Sequence, residues 1–243
     1  MTDNSPGGED GRSHYPLAAS PAVADEALRD RRAAITGLGD ALRDLVQAAA
    51  ATEVPADVLR AVTAQVRAAA APLRQRSRTR GQPPGADDLL AGFRMYNPVT
   101  GSGSPLAPPL RIEIADGMVA GTCTLGLAYE GPPACVHGGV SAMLLDQLLG
   151  YAASAAGRPG MTVALDMRYR APVPLQTELR VTAAVGEVTG RRVTVLGAIT
   201  TAADPGTVLV EATGTFVVLR AEQAARLFGG AGPGTADPAV AHD

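Results

Sequence analysis

The chain has 243 residues, 46% of them hydrophobic and 19% charged, enough for one sizeable domain with a small appendage. A net charge of -3 leaves no overall electrostatic footprint for nucleic acid, and no apolar run approaches the ~18 residues of a membrane span. All 21 basic residues are arginine, which excludes a lysine Schiff base or a P-loop lysine.

Residues 1–20, opening MTDNSPGGED, are polar and Gly-rich; they read as a disordered segment and not as a secretory leader. Residues 21–80 are expected to form a helical hairpin and a basic linker. Leu28, Ile35, Leu38, Leu42, Leu45 and Ala49 recur at helical spacing in the first helix. Val58, Val62, Val66, Ala69 and Leu73 do so in the second, with Pro55 near its start. Each helix has one apolar stripe, so the pair needs a partner surface, either the main domain or a second subunit. Arg74, Arg76, Arg78 and Arg80 suit a helix C-terminus better than a phosphate site. A long loop, NPVTGSGSPLAPP, follows the linker.

From 110 onward the pattern turns to β. Arg111-Ile112-Glu113-Ile114 alternates, Asp116-Gly117 signals a hairpin turn, and Met118 to Ala128 reads as a second strand. A helix is expected over about 138–156, then strands at about 161–171, 178–189, 191–201 and 207–219. The last three strands have short connections, which demand antiparallel pairing. Val140, Met143, Leu144, Leu145, Leu148, Leu149 and Tyr151 cover nearly the whole circumference of the helix, which predicts burial on every side. The fold class expected is therefore α+β, with an antiparallel sheet wrapped around one long central helix. A disordered tail is expected at 229–243.

Two features carry candidate chemistry. Asp146 is the one carboxylate in that apolar helix; it must be hydrogen-bonded, protonated or facing a cleft, or else sit at an exposed helix edge. Val136-His137-Gly138-Gly139 leads straight into the helix, where free N–H groups at the positive end of the dipole can polarise a carbonyl. The alternative for the glycines is an ordinary loop, and a lone His is more often a structural hydrogen-bonder than a base. Cys123, Cys135, His14, His137 and His242 lack metal-ligand spacing, so no metal is expected. Cys135 reads as a filler, because no base is adjacent in sequence. A reducing cytoplasm is the expected compartment.

Taken together, His137-Gly138-Gly139-Val140-Ser141-Ala142-Met143-Leu144-Leu145-Asp146 resembles the hotdog-fold thioesterases of the PaaI type, including the branch of thioesterase superfamily member 4. The resemblance covers about 93–219, within an expected hotdog domain at 87–220, and takes in Tyr129-Glu130-Gly131-Pro132-Pro133, Thr162 and Tyr169-Arg170-Ala171-Pro172. It implies that Asp146 is the catalytic carboxylate, as general base on water or as nucleophile. It further implies Gly138 N–H as oxyanion donor, His137 as the residue shaping the turn, and Thr162 as the hydroxyl that positions water. Some members carry an Asn or Gln shortly before the His as a second carbonyl donor; here that stretch is Gly131-Pro132-Pro133.

The activity implied is hydrolysis of acyl-CoA to a free acid and CoA, with no cofactor, since CoA is part of the substrate. The apolar Leu145, Leu148, Leu149 and Val163 are candidates to line an acyl channel, and Gly139 is a candidate to contact the substrate at the helix start. Arg170, Arg191 and Arg192 are candidates for the CoA phosphates, Arg191-Arg192 being otherwise a solvated hairpin turn. Gly138 and Asp146 lie eight residues apart, ~12 Å along one helix, so both cannot serve one thioester from the same chain. A homodimer at least, possibly a dimer of dimers, is expected. Rival readings are a non-catalytic acyl-CoA-binding hotdog module, and a hotdog dehydratase of 3-hydroxyacyl thioesters.

Overall fold

The computed structural model describes residues 26–88, 93–115, 117–220 and 222–223. The segments expected to be disordered, 1–20 and 229–243, lie outside the described residues, as does Asp116. Three helices, α1 (Glu26–Ala51), α2 (Ala56–Arg74) and α3 (Gly138–Ala155), accompany six strands. The strands are β1 (Arg111–Ala115), β2 (Met118–Thr124), β3 (Met161–Tyr169), β4 (Glu178–Thr189), β5 (Arg192–Thr201) and β6 (Val210–Val217). They form one sheet in the order β1-β2-β4-β5-β6-β3, and every neighbouring pair is antiparallel. The result is an α+β hotdog-like fold with an N-terminal helical hairpin. The expected second strand is shorter than its sequence pattern, because the chain turns into a 3-10 helix at Leu127–Tyr129.

β1 and β2 pair through Ala115 and Met118, leaving a two-residue turn in which Gly117 takes φ 74°. α3 then carries the chain across the sheet, so β3 joins at the far edge beside β6. Leu144, Leu145, Leu148 and Leu149 are fully buried against Val181, Val193, Val195 and Phe216. Each such burial contributes about 1.5–3 kcal/mol. Gly197 and Gly214 stand under this contact, and a Cβ at Gly197 would come within 3.0 Å of both Leu145 and Leu149. Strand glycines let the helix settle close to the sheet.

Burial of α3 on every side is not what the structure shows. One face packs on the sheet, while Gln147 and Tyr151 on the other accept polar partners from the loop before β1. Asn97 Nδ2 donates to Gln147 Oε1 at 3.0 Å, and Thr100 and Tyr151 share a 2.7 Å hydroxyl contact. α1 in turn lies on this loop. Arg43 donates to the carbonyls of Ser102 and Ser104, Arg32 to that of Ala86, and the side chain of Gln47 accepts from Ala128 N–H. A Cβ on Gly39 would strike Ser102 O, so glycine is required where α1 meets the loop. The first helix is thus joined to the body by directed hydrogen bonds. Among the described residues α2 makes no such bond, and none of its residues is buried.

Candidate active site

The turn before α3 is clamped from two sides. His137 N–H donates to Tyr129 O and Gly131 N–H to Cys135 O, while Val136 N–H donates to Val173 O. A Cβ on Gly131 would come within 2.7 Å of His137 Cα, so only glycine allows this approach. Pro132 and Pro133 carry no N–H and that of Gly131 is engaged, so this stretch supplies no second carbonyl donor.

His137 is the N-cap of α3, and its Nδ1 accepts from Gly139 N–H at 3.0 Å. The Gly139 N–H, expected to face substrate, is therefore taken by the cap. Gly138 N–H has no hydrogen-bond partner among the described residues. On its other side, Tyr169 Oη donates to Gly138 O at 2.9 Å and the phenol ring lies against the glycine. The family resemblance takes in Tyr169 with Arg170-Ala171-Pro172 but implies no role for it; the contact with Gly138 supplies one. A cavity of about 410 Å³ opens here, lined by Cys135, Val136, Gly138, Ser141, Tyr169 and Val173 among others.

Asp146 sits two turns further along α3, half-buried, and its Oδ1 accepts from Thr162 Oγ1 at 3.0 Å. Thr162 and Tyr169 are seven residues apart, so on a regular strand they would point to opposite faces. The register shifts between Thr162 and Ala164, leaving Val163 unpaired in a bulge. Thr162 pairs with the buried Phe216, and Tyr169 with the buried Val210, so the bulge turns both toward α3.

The remaining expected residues divide. Leu145, Leu148 and Leu149 are core residues at 0% exposure, so in this chain they line no open channel, and Val163 is 54% exposed at the bulge. Arg170 lines the cavity beside Gly138 but pairs with Glu211 at 2.6 Å. Arg191 donates to Val218 O and to Gln223. Arg192 shares Val217 as strand partner with Met161, one position from Thr162. Arg170 thus lies beside Gly138, whereas Arg191 and Arg192 lie at the turn between β4 and β5, and the pairing with Val217 puts Arg192 on the sheet face opposite the buried Phe216 and α3. Cys123, in the core, has its thiol pushed up to about 12 by burial, which keeps it protonated and unreactive. Among the described residues no three His, Cys, Asp or Glu side chains cluster to hold a metal, and no helix is long and apolar enough to cross a membrane. A larger groove of about 780 Å³, lined by Thr182, Leu196, Ala198 and Thr213 among others, includes none of the expected site residues.

Comparison with known proteins adds three findings. The sequence profile of the thioesterase superfamily matches residues 135–208. A crystal structure of a thioesterase superfamily protein is 38% identical, with a TM-score of 0.67, over 75% of this chain and 94% of that one. Mouse acyl-coenzyme A thioesterase THEM4 is 34% identical over 98 residues, which are 40% of this chain and 42% of that protein, so the match spans less than half of that relative's length.

Proposed function

Because the chain belongs to the thioesterase superfamily, we propose that it is an acyl-CoA thioesterase of the PaaI type, releasing a free carboxylic acid and CoA. The observation that carries this reading is the pairing of a hydroxyl-anchored carboxylate, Asp146, with an unengaged helix N-terminal N–H, that of Gly138. In this reading the Asp146 carboxylate takes a proton from water while the water oxygen attacks the thioester carbon. Thr162 orients the carboxylate and the water. The carbonyl oxygen becomes an oxyanion held by Gly138 N–H and the helix dipole. The C–S bond then breaks, and CoA leaves as a thiolate that needs no acid to protonate it at neutral pH. Direct attack by Asp146 on the thioester carbon uses the same geometry, with water consumed in the second step.

The two groups belong to different subunits. Eight residues of helix separate them by ~12 Å, whereas attacking and stabilising groups must each come within ~3 Å of one carbonyl. A two-fold axis beside β3, one of the two edge strands of the sheet, would bring Gly138 of one subunit to Asp146 of the other. Arg170, Arg191 and Arg192 are the cations this reading offers to the CoA phosphates. The working unit is thus a homodimer or a dimer of dimers. Free thiols at Cys123 and Cys135 suit a reducing cytoplasm. A panel of acyl-CoA substrates of varied chain length and ring content, assayed by thiol release, tests the activity. Turnover of at least one supports it, and tight CoA binding with no turnover of any substrate replaces it with a binding module.

A further inference from the structure

α2 is a helix of 19 residues with no buried residue. Val58, Leu59, Val62, Val66 and Leu73 are each 37–55% exposed, and Val54 just before the helix is 41% exposed. No side chain of α2 hydrogen-bonds to another element among the described residues. A solitary helix of this length is marginal in water, and its stability ordinarily comes from burying an apolar stripe. Val58, Val62, Val66, Ala69 and Leu73 supply such a stripe at spacings of four, four, three and four. α1 and the sheet leave it open.

We propose that this stripe is covered by α2 of a second copy, lying antiparallel. The distribution of charge decides the occupant and its direction. Glu53 and Asp57 stand at the N-terminal end of α2, and Arg74, Arg76, Arg78 and Arg80 at or beyond its C-terminal end. An antiparallel pair sets each acidic end beside the other copy's basic end. A parallel pair would set the four arginines of both copies side by side, within a Debye length of ~8 Å. The stripe is also self-complementary in that direction. With Val58 opposite Leu73 of the second copy, Val62 falls opposite its Ala69, so large meets small midway and the two-fold axis passes between Gln65 and Val66. This contact involves neither Gly138 nor Asp146 and holds or fails independently of the thioesterase reading.

Paired cysteines test it in the full-length chain, with Cys135→Ala to remove the half-buried thiol. Val58 and Leu73 of one chain are ~22 Å apart along the helix, whereas a disulfide needs Cα atoms within ~7 Å. Oxidised Val58→Cys/Leu73→Cys protein should run as a covalent dimer on a non-reducing gel, and neither single variant should. Amide exchange gives a second readout: α2 in the unsubstituted chain should exchange at least ~10-fold more slowly than in Val62→Glu/Val66→Glu. Protection without the covalent dimer places α2 on its own body and overturns the proposal. Equal dimer from Val58→Cys alone overturns the antiparallel direction, and absence of both dimer and protection leaves no such contact.

Discussion

Thr162 Oγ1 donates a 3.0 Å hydrogen bond to Asp146 Oδ1, tying the middle of α3 to the edge strand β3. The same strand reaches back to the start of α3 through Tyr169, so both ends of the candidate site hang on one strand. Replacing Asp146 by Asn keeps its shape and removes the base, and kcat should fall by ~10² or more. Thr162→Val removes one hydrogen bond to a charged group, and kcat should fall by ~10-fold. Steady-state rates on a single acyl-CoA check both, with circular dichroism to show that the fold persists. An Asp146→Asn variant within a few-fold of the parent would remove the carboxylate from the mechanism.

Deleting Val163 should be far worse than shrinking it. Without the bulge, Thr162 and Tyr169 cannot both face α3, so one end of the site is lost. The deletion should lower kcat by ~10² or more, because a misplaced group costs nearly as much as an absent one. Val163→Ala keeps the bulge and should retain activity within a few-fold. Equal activity in the two variants would show that the register shift does not position the site.

Tyr169→Phe keeps the ring against Gly138 and removes only the hydrogen bond to its carbonyl. Stability should fall by about 1 kcal/mol, and kcat by several-fold as the turn loosens. KM for an unbranched acyl-CoA should change little. Denaturant midpoints and rates measured on the same preparation separate the two effects.

Alkaline stability provides a test of the core. Burial raises the Cys123 thiol in the folded state to about 12, against an ordinary value of 9.0. The unfolded chain therefore gives up this proton first as pH rises. The stability this thiol contributes is intact below about pH 9 and is lost as pH approaches 12, by on the order of 4 kcal/mol in all. Tyr151, raised by the same cause, acts in the same direction from pH 10 upward. In Cys123→Ala, the fall in unfolding free energy between pH 9 and 11 should be shallower than in the parent.

Much of the fold was legible because its signals are local. The leucines of α3, the Asp116-Gly117 turn and the short connections of β4 to β6 each report on their own neighbourhood, and a helix followed by an antiparallel sheet was derived from them. Asp146 stood out as the lone acid in an apolar helix. Three things were hidden. The bulge at Val163 leaves no mark in a run of residues that alternates either way, so the convergence of Thr162 and Tyr169 was not deducible. Arg43 docks α1 by donating to backbone carbonyls of Ser102 and Ser104, and such carbonyls carry no side-chain signature. An apolar helix does not reveal in sequence which face meets the sheet, so Leu145 and Leu149 read equally well as channel or core; Gly197 and Gly214, on strands far away in sequence, are where these leucines settle against the sheet.

The most direct test of a site built from two subunits is a mixed dimer with one defect in each chain. One chain carries Asp146→Asn; the other carries Gly138→Pro, which removes the N–H donor at a position where proline is tolerated. The preceding His137 already has ψ 133°, the extended conformation that a following proline requires, and a Cβ at 138 meets Tyr169 only at 3.4 Å. Two affinity tags allow the mixed dimer to be purified away from both inactive parents. One of its two sites then has an intact Gly138 and an intact Asp146, so the mixed dimer should hydrolyse acyl-CoA at roughly half the parental rate. A folded mixed dimer as inactive as its parents would contradict the shared site, and would place both groups in the same chain's chemistry.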